Sequence, residues 1–239
     1  MPIQTRYRCA VVTPVGPGHE RLYQACHDSV VRAFEHSPGL FSEIIMIRID
    51  DTQGRQGRSR SRNVGVGQAL ARRADWIFFL DADDLMAPRA LEWASPYLLT
   101  YDAIWGLIYS FDQADPAPRE RPGQLQKVSD VLDLLTVDPF LTLQMGHFVR
   151  AGVARRHPFK PGLDAGEDFD YYLRVWSRHR CLKIPHPLFF NRRGGHSVGP
   201  RSANGLKWRM AVEERLVYHA QRLGIPLGPP AVEKQALAS

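Results

Sequence analysis

Acidic residues come in sets along the first half of the chain, at Asp50-Asp51 and at Asp81-Ala-Asp83-Asp84. Each set follows an apolar run, Ile44 to Ile49 in one case and Trp76 to Leu80 in the other. Carboxylates gathered in one place repel each other unless a positive charge neutralises them. Mg²⁺ and Mn²⁺ suit such oxygens and leave coordination positions for phosphate. The alternative chemistry is none: Asp is also an ordinary turn and cap residue. Between the two sets, the stretch from Gly54 to Asn63 carries Arg55, Arg58, Arg60 and Arg62. Guanidinium groups and helix N-termini both suit phosphate oxygens, so Arg62, just ahead of a predicted helix, is a candidate pyrophosphate contact. The other arginines read as a solvated basic loop. The GxxxxGK[ST] pattern of a Walker A loop is absent.

These residues need elements to position them. Cys9 to Thr13 reads as a buried strand ending at Pro14, and Leu22 to Phe34 has helical spacing. Glu43 to Ile49 reads as a second strand. A Gly/Arg/Ser loop is expected over residues 54–62, and Asn63 caps a helix running to about Arg73. Trp76 to Leu80 shows no alternation, as in a strand buried on both faces of a parallel sheet. Pro88 opens a short helix. This alternation predicts an α/β fold with a Rossmann-like, mostly parallel open sheet and flanking helices. Ligands of such sheets sit beyond the carboxyl ends of the strands, where the two acidic sets lie. Later come a strand from Ala103 to Phe111, a Pro-containing loop or hairpin tip over 112–127, and a short helix to Thr136. A helix from Glu167 to Ser177 carries Phe169, Tyr172, Leu173 and Trp176 on one face. A strand over 182–190 is interrupted by Pro185 and Pro187, and a closing helix covers 203–223.

In order and spacing, several motifs together resemble family 2 glycosyltransferases of the GT-A fold. They are Arg62-Asn63-Val-Gly65, the strand and DxD at Trp76 to Asp83, then Pro88 and Leu91-Glu92. Further on come Gly166-Glu167-Asp168 and Phe190-Asn-Arg-Arg-Gly-Gly-His196. The resemblance spans roughly residues 8–200. It implies a nucleotide-sugar-dependent transferase that inverts the anomeric centre, with a UDP-sugar as donor and Mn²⁺ or Mg²⁺ as cofactor. Residue by residue, Thr13 and Pro14 end the first strand beside the nucleotide, and Asp50 or Asp51 contacts base or ribose. Asp81 touches the ribose or the metal shell, Asp83 binds the metal, and Asp168 is the base. His196 is a metal or diphosphate contact on a loop that follows Gly194-Gly195. Thr52-Gln53-Gly54 stands where the family often has Gly-Ser after its second acidic pair.

Asp168 suits the role of base on physical grounds as well. It falls in the first turn of a helix whose apolar stripe fixes it, and the positive helix end favours its ionised form. Glu167 faces structure or acceptor, Asp170 complements the helix dipole, and His147 and Trp105 are further candidates for the acceptor side.

The composition fits one domain over residues 1–225, with the nucleotide-binding part at about 8–112 and the acceptor-side part at about 113–225. Residues 226–239 read as a flexible tail. No apolar run approaches the ~20 residues of a membrane span. Three isolated cysteines and no apolar leader point to a cytoplasmic protein, soluble or peripheral to the membrane. Net charge is +6, and from Arg150 to Arg215 there are 14 basic and 6 acidic residues, a local +8. That basic half suits a polyanionic partner. The acceptor classes that follow are a glycan, a lipid-linked sugar, a protein or a hydroxylated base in DNA. Competing readings are nucleotidyl transfer and a nucleic-acid-binding protein on an inactive transferase fold.

Overall fold

The computed structural model describes residues 6–163, 165–194 and 205–227. The first half is β1 (Tyr7–Val15), α1 (Glu20–His36), β2 (Phe41–Asp50), α2 (Gly57–Ala71), β3 (Trp76–Phe79), β4 (Leu85–Met86) and α3 (Ala90–Ala94). The second half is β5 (Ala103–Phe111), β6 (Arg119–Glu120), α4 (Val131–Thr136), β7 (His147–Arg150), α5 (Ala151–Arg156), α6 (Glu167–Trp176), β8 (Cys181–Arg192) and α7 (Gly205–Leu223).

The strands form one sheet in the order β2-β1-β3-β7-β5-β8-β4, with β6 paired to β5. β1 runs parallel to β2 and β3, and β5 parallel to β8. The short β7 is antiparallel to both β3 and β5, so it joins two parallel blocks that point the same way. β3 is buried on both faces, as its unbroken apolar run predicts. Trp76, Phe78 and Leu80 pack with α1 and α3 residues such as Cys26, Val30 and Leu91. Ile77 and Phe79 face the opposite layer with Val66, Ala69, Phe169 and Leu173. The predicted stripe on α6 is buried at all four positions. No helix among the described residues is long and apolar enough to cross a membrane.

Three local features differ from the sequence reading. The arginine-rich stretch is helical: α2 begins at Gly57, six residues before Asn63. Asp51 provides the reason, because its carboxylate accepts the backbone N–H groups of Gln56 at 2.9 Å and Gly57 at 2.7 Å. Asn63 therefore lies inside the helix, and its amide bonds both backbone groups of Phe159, at 2.8 and 2.9 Å. Pro185 and Pro187 do not interrupt β8; irregular register against β5 between Trp105 and Tyr109 absorbs them. The strand β7 and helix α5 are additional, and four residues give β7 too short a pattern to read.

Candidate active site

A cleft of about 420 Å³ opens beyond the ends of β1, β2 and β3, where an open α/β sheet places its ligand. From the first half of the chain it is lined by Pro14, Gly16, Asp51, Gly57, Arg58, Arg62, Asp81 and Asp83. From the second half come Arg121, Phe140, Glu167, Asp168, Asn191, Arg192, Arg193 and Trp208. Asp51, Asp81 and Asp83 thus face one cavity with the Glu167-Asp168 pair, 84 residues further along the chain than Asp83.

Packing sets these positions. α2 lies close against β1 because residue 65 is glycine: a Cβ there would sit 2.3 Å from a methyl of Val12. Gly166 adopts a left-handed backbone (φ 72°) that turns the chain into α6, and Glu167 and Asp168 follow in the first turn. Asp170, fully buried, holds α6 down by bonding Lys160 and Arg174 at 2.7 Å and His219 of α7 at 3.4 Å. That contact set makes it an anchor for the helix.

Arg62 joins residues from the two halves of the chain. It is 2% exposed, and its guanidinium donates to Asp81 at 2.8 Å and to Glu167 at 3.1 Å. Burial alone would lower its pKa, but the two carboxylates outweigh that and raise it. Burial likewise pushes Asp81 up, and Arg62 more than reverses it, so Asp81 is held below its usual value. Arg58 stands 3.8 Å from Glu167 and is half exposed toward the cleft.

Asp168 has a different environment. Burial first, and the neighbouring Glu167 second, push its carboxyl up to about 7, while the Phe169 N–H and Arg62 oppose them. The ionised form expected from the helix end is therefore balanced against the neutral form near pH 7. Asp84 is also raised, by burial and by Asp83 and Asp81. It accepts from Asn191 at 3.1 Å and from the Arg192 N–H at 2.9 Å, which fastens the end of β8 to the β3–β4 turn. The Arg192 side chain returns to the Asp83 carbonyl at 2.9 Å.

The remaining sequence candidates are distributed as follows. Thr13 and Pro14 are both buried in β1, and Pro14 lines the cleft. Asp50 points to solvent outside the cleft, bonded to Arg48 at 3.1 Å and to the Thr52 N–H at 3.1 Å. Asp51 is the member of that pair that lines the cleft. His147 and Trp105 stack at 4.3 Å in the core beneath Arg62 and do not line the cleft. Burial, and then Arg62, hold the His147 imidazole well below its ordinary pKa. His196 lies outside the described residues. Residues that line the cleft without having been singled out are His19, Arg121, Phe140 and Trp208, with Asn191 to Arg193 at the end of β8. The Phe190-Asn-Arg-Arg motif pointed toward the last group. Arg121 sits in a Pro-rich segment with no periodicity to mark it.

Asp81 and Asp83 offer hard carboxylate oxygens to the cleft, one Asp81 oxygen being committed to Arg62. Among the described residues no cluster of three or more His, Cys, Asp or Glu forms a cage for a metal. This donor set fits an ion that takes one or two carboxylates and completes its shell with phosphate and water, as Mg²⁺ does.

Residues 33–148 match the family described as Glycosyl transferase family 2. No curated protein matches the chain. Among solved structures, S. aureus TarS 1-349 in complex with UDP-GlcNAc is 13% identical with a TM-score of 0.61, over 90% of this chain and 73% of that one. Its complex with UDP is 14% identical with a TM-score of 0.60, over 90% and 72%. A further structure of TarS 1-349 is 14% identical with a TM-score of 0.57, over 77% of this chain, and the match spans 60% of the length of that chain. At these identities the likeness is one of fold. Over residues 33–148 the chain matches the family 2 glycosyl transferases, and its fold is GT-A.

Proposed function

We propose that the protein transfers a sugar from a nucleotide-sugar, a UDP-sugar in the first instance, to an acceptor hydroxyl, with inversion at the anomeric carbon. The observation that carries this reading is a single cleft lined by Asp51, Asp81, Asp83 and Asp168. The solved relatives bound to UDP and UDP-GlcNAc favour the uracil nucleotide.

The nucleotide lies along Pro14 and Asp51, with its diphosphate toward Asp81, Asp83 and Arg58. Asp83 and Asp81 would hold Mg²⁺ or Mn²⁺, which supplies Lewis-acid stabilisation of the departing diphosphate. Arg58 and Arg192 add positive charge on the same side of the reaction. The acceptor hydroxyl attacks the anomeric carbon as the bond to the diphosphate breaks, and its proton goes to Asp168. A carboxylate near pKa 7 is well matched to that work, being ionised in part at neutral pH yet basic enough to take the proton. Arg62 organises the carboxylates, with its guanidinium already occupied by Asp81 and Glu167. Glu167 in turn keeps Asp168 basic. Acceptor classes open to such a site are glycans, lipid-linked sugars, proteins and hydroxylated bases in DNA.

The test is a donor screen that measures nucleoside diphosphate released from UDP- and GDP-sugars with Mg²⁺ or Mn²⁺. UDP release from a UDP-sugar is expected; pyrophosphate release from a nucleoside triphosphate supplied with a sugar phosphate would instead indicate nucleotidyl transfer. Asp168→Asn should keep UDP binding and lose turnover by about 10²–10⁴-fold. Full turnover in that variant would remove Asp168 from the reaction.

A further inference from the structure

We propose that Tyr172 is a positioning residue for Asp168: its hydroxyl donates a hydrogen bond to that carboxylate from the core beneath the cleft, fixing its direction and favouring its ionised form. This rests on the transfer reading above.

Tyr172 stands one helical turn after Asp168 on α6, so the two side chains lie on one face of the helix. A long side chain on a helix leans back over the preceding turn, which here is the turn of Asp168. Four rings hold the phenol in place. It meets Phe169 at 5.4 Å, Trp105 at 5.6 Å, His147 at 5.9 Å and Tyr171 at 6.1 Å, each edge to face. The residue is fully buried, and its hydroxyl has no hydrogen-bond partner among the described residues. A buried donor costs stability unless it finds an acceptor, and this one is packed too firmly to turn out to water.

Asp168 is the acceptor its surroundings leave open. The charges that act on the Tyr172 hydroxyl are, strongest first, Asp168, Arg62, Asp81 and Glu167. Asp81 and Glu167 already accept from Arg62. Asp168 takes only the Phe169 N–H, on one of its two oxygens, among the described residues. Burial, and then Asp168, hold the phenol well above its ordinary pKa, so it stays a donor at neutral pH. The other charges bearing on Asp168 are Glu167 of α6 and Arg62 and Arg58 of α2. α7 presents His219 to Asp170 instead, which also takes Lys160 and Arg174. α4 contributes the apolar Leu134 and Leu135. The competing acceptor is His147 of β7, kept neutral by burial and Arg62, whose ring nitrogens are also unpartnered among the described residues.

The first test is NMR of the tyrosine Cζ carbons in the isotope-labelled full chain, without donor or metal. The Tyr172 signal is identified by its loss in Tyr172→Phe, which keeps the ring and its packing. That signal should move with pH as Asp168 titrates and should stay flat in Asp168→Asn. The second test follows UDP release to water, across pH, from the UDP-sugar that the donor screen selects. Tyr172→Phe loses a hydrogen bond to the ionised form, so its rising limb should move up by about one pH unit. Turnover should then be about fivefold lower at pH 7 and nearly equal at pH 9, with KM for the UDP-sugar within about twofold. A Tyr172 signal indifferent to pH, or one that moves equally in Asp168→Asn, would assign the hydroxyl elsewhere and overturn the proposal. An unmoved limb, or a deficit that persists at pH 9, would overturn it too. Full turnover in Asp168→Asn would remove the base from the transfer reading instead, and the tyrosine signal still decides whether the bond exists.

Discussion

At the level of single residues, the cleft depends on where each charge is paired. Asp168 is the one carboxylate of the Arg62 cluster whose burial is not offset, so it titrates at about 7 while Asp81 is held low. As the proposed base it works only when ionised. The rate kcat/KM should therefore rise as pH passes from 6 to 8 and level off above. Arg62 opposes the upward shift, so Arg62→Met should move this limb to higher pH. That substitution also removes the guanidinium bonded to Asp81 and the buried Glu167, a loss of about 3–5 kcal/mol in stability. Arg62→Lys keeps the charge but cannot fork between both carboxylates, and it should fall between the two in pH profile and in urea midpoint. An unmoved pH limb in Arg62→Met would disconnect Arg62 from the base. Much of this set was legible in residue types: Asp81, Asp83, Glu167 and Asp168 all face the cleft. Side-chain direction was not. Asp50 and Asp51 are adjacent at a strand end, and only the turn that follows sends one to solvent and the other inward. Arg62 is fixed by a partner 105 residues away, which no local pattern contains.

At the level of elements, α2 shows how a loop composition can hide a helix. Gly54 to Asn63 is rich in Gly, Arg and Ser, and nothing at Gln56 caps a helix through its side chain. The capping group comes from the end of β2: Asp51 accepts two of the orphan N–H groups. One carboxylate therefore starts α2 and also lines the cleft. Asp51→Ala should destabilise the fold by about 1–2 kcal/mol, as loss of a helix cap does. It should weaken UDP binding as well, whereas Asp51→Asn should recover most of the stability. Urea unfolding and UDP titration of both variants separate the two effects. Wild-type stability in Asp51→Ala would mean that water caps the helix equally well. The long strands and α6 were readable from the spacing of their apolar residues, since burial on one or both faces writes a period into the sequence. β7 was not, because its four residues acquire their strand character from β3 and β5 on either side.

At the level of the whole molecule, the part that holds Asp51 and Asp81 and the part that holds Asp168 are coupled by more than a shared sheet. β7 leaves the second part to pair with β3 of the first. Asp84 holds the end of β8, Arg62 holds Glu167, and Asn63 holds the backbone of Phe159. Asn63 is the cleanest of these to remove, because it carries no charge and its two bonds both run between the parts. Asn63→Ala leaves an N–H and a carbonyl of Phe159 without that partner, a cost of about 1–3 kcal/mol. For a chain of this length each kcal/mol lowers the Tm by roughly 2–4 °C. Because β7 remains threaded between β3 and β5, the melt should stay a single transition, shifted down as a whole. The cleft should loosen before it unfolds: α2 loses its tie to Phe159 and keeps the contacts of Arg62 and Arg58 with Glu167 of α6, so kcat should fall more than UDP affinity. Calorimetric scanning checks the first part and steady-state kinetics the second. Two resolved transitions in Asn63→Ala would mean that the parts unfold separately and that Asn63, not the shared sheet, had joined them.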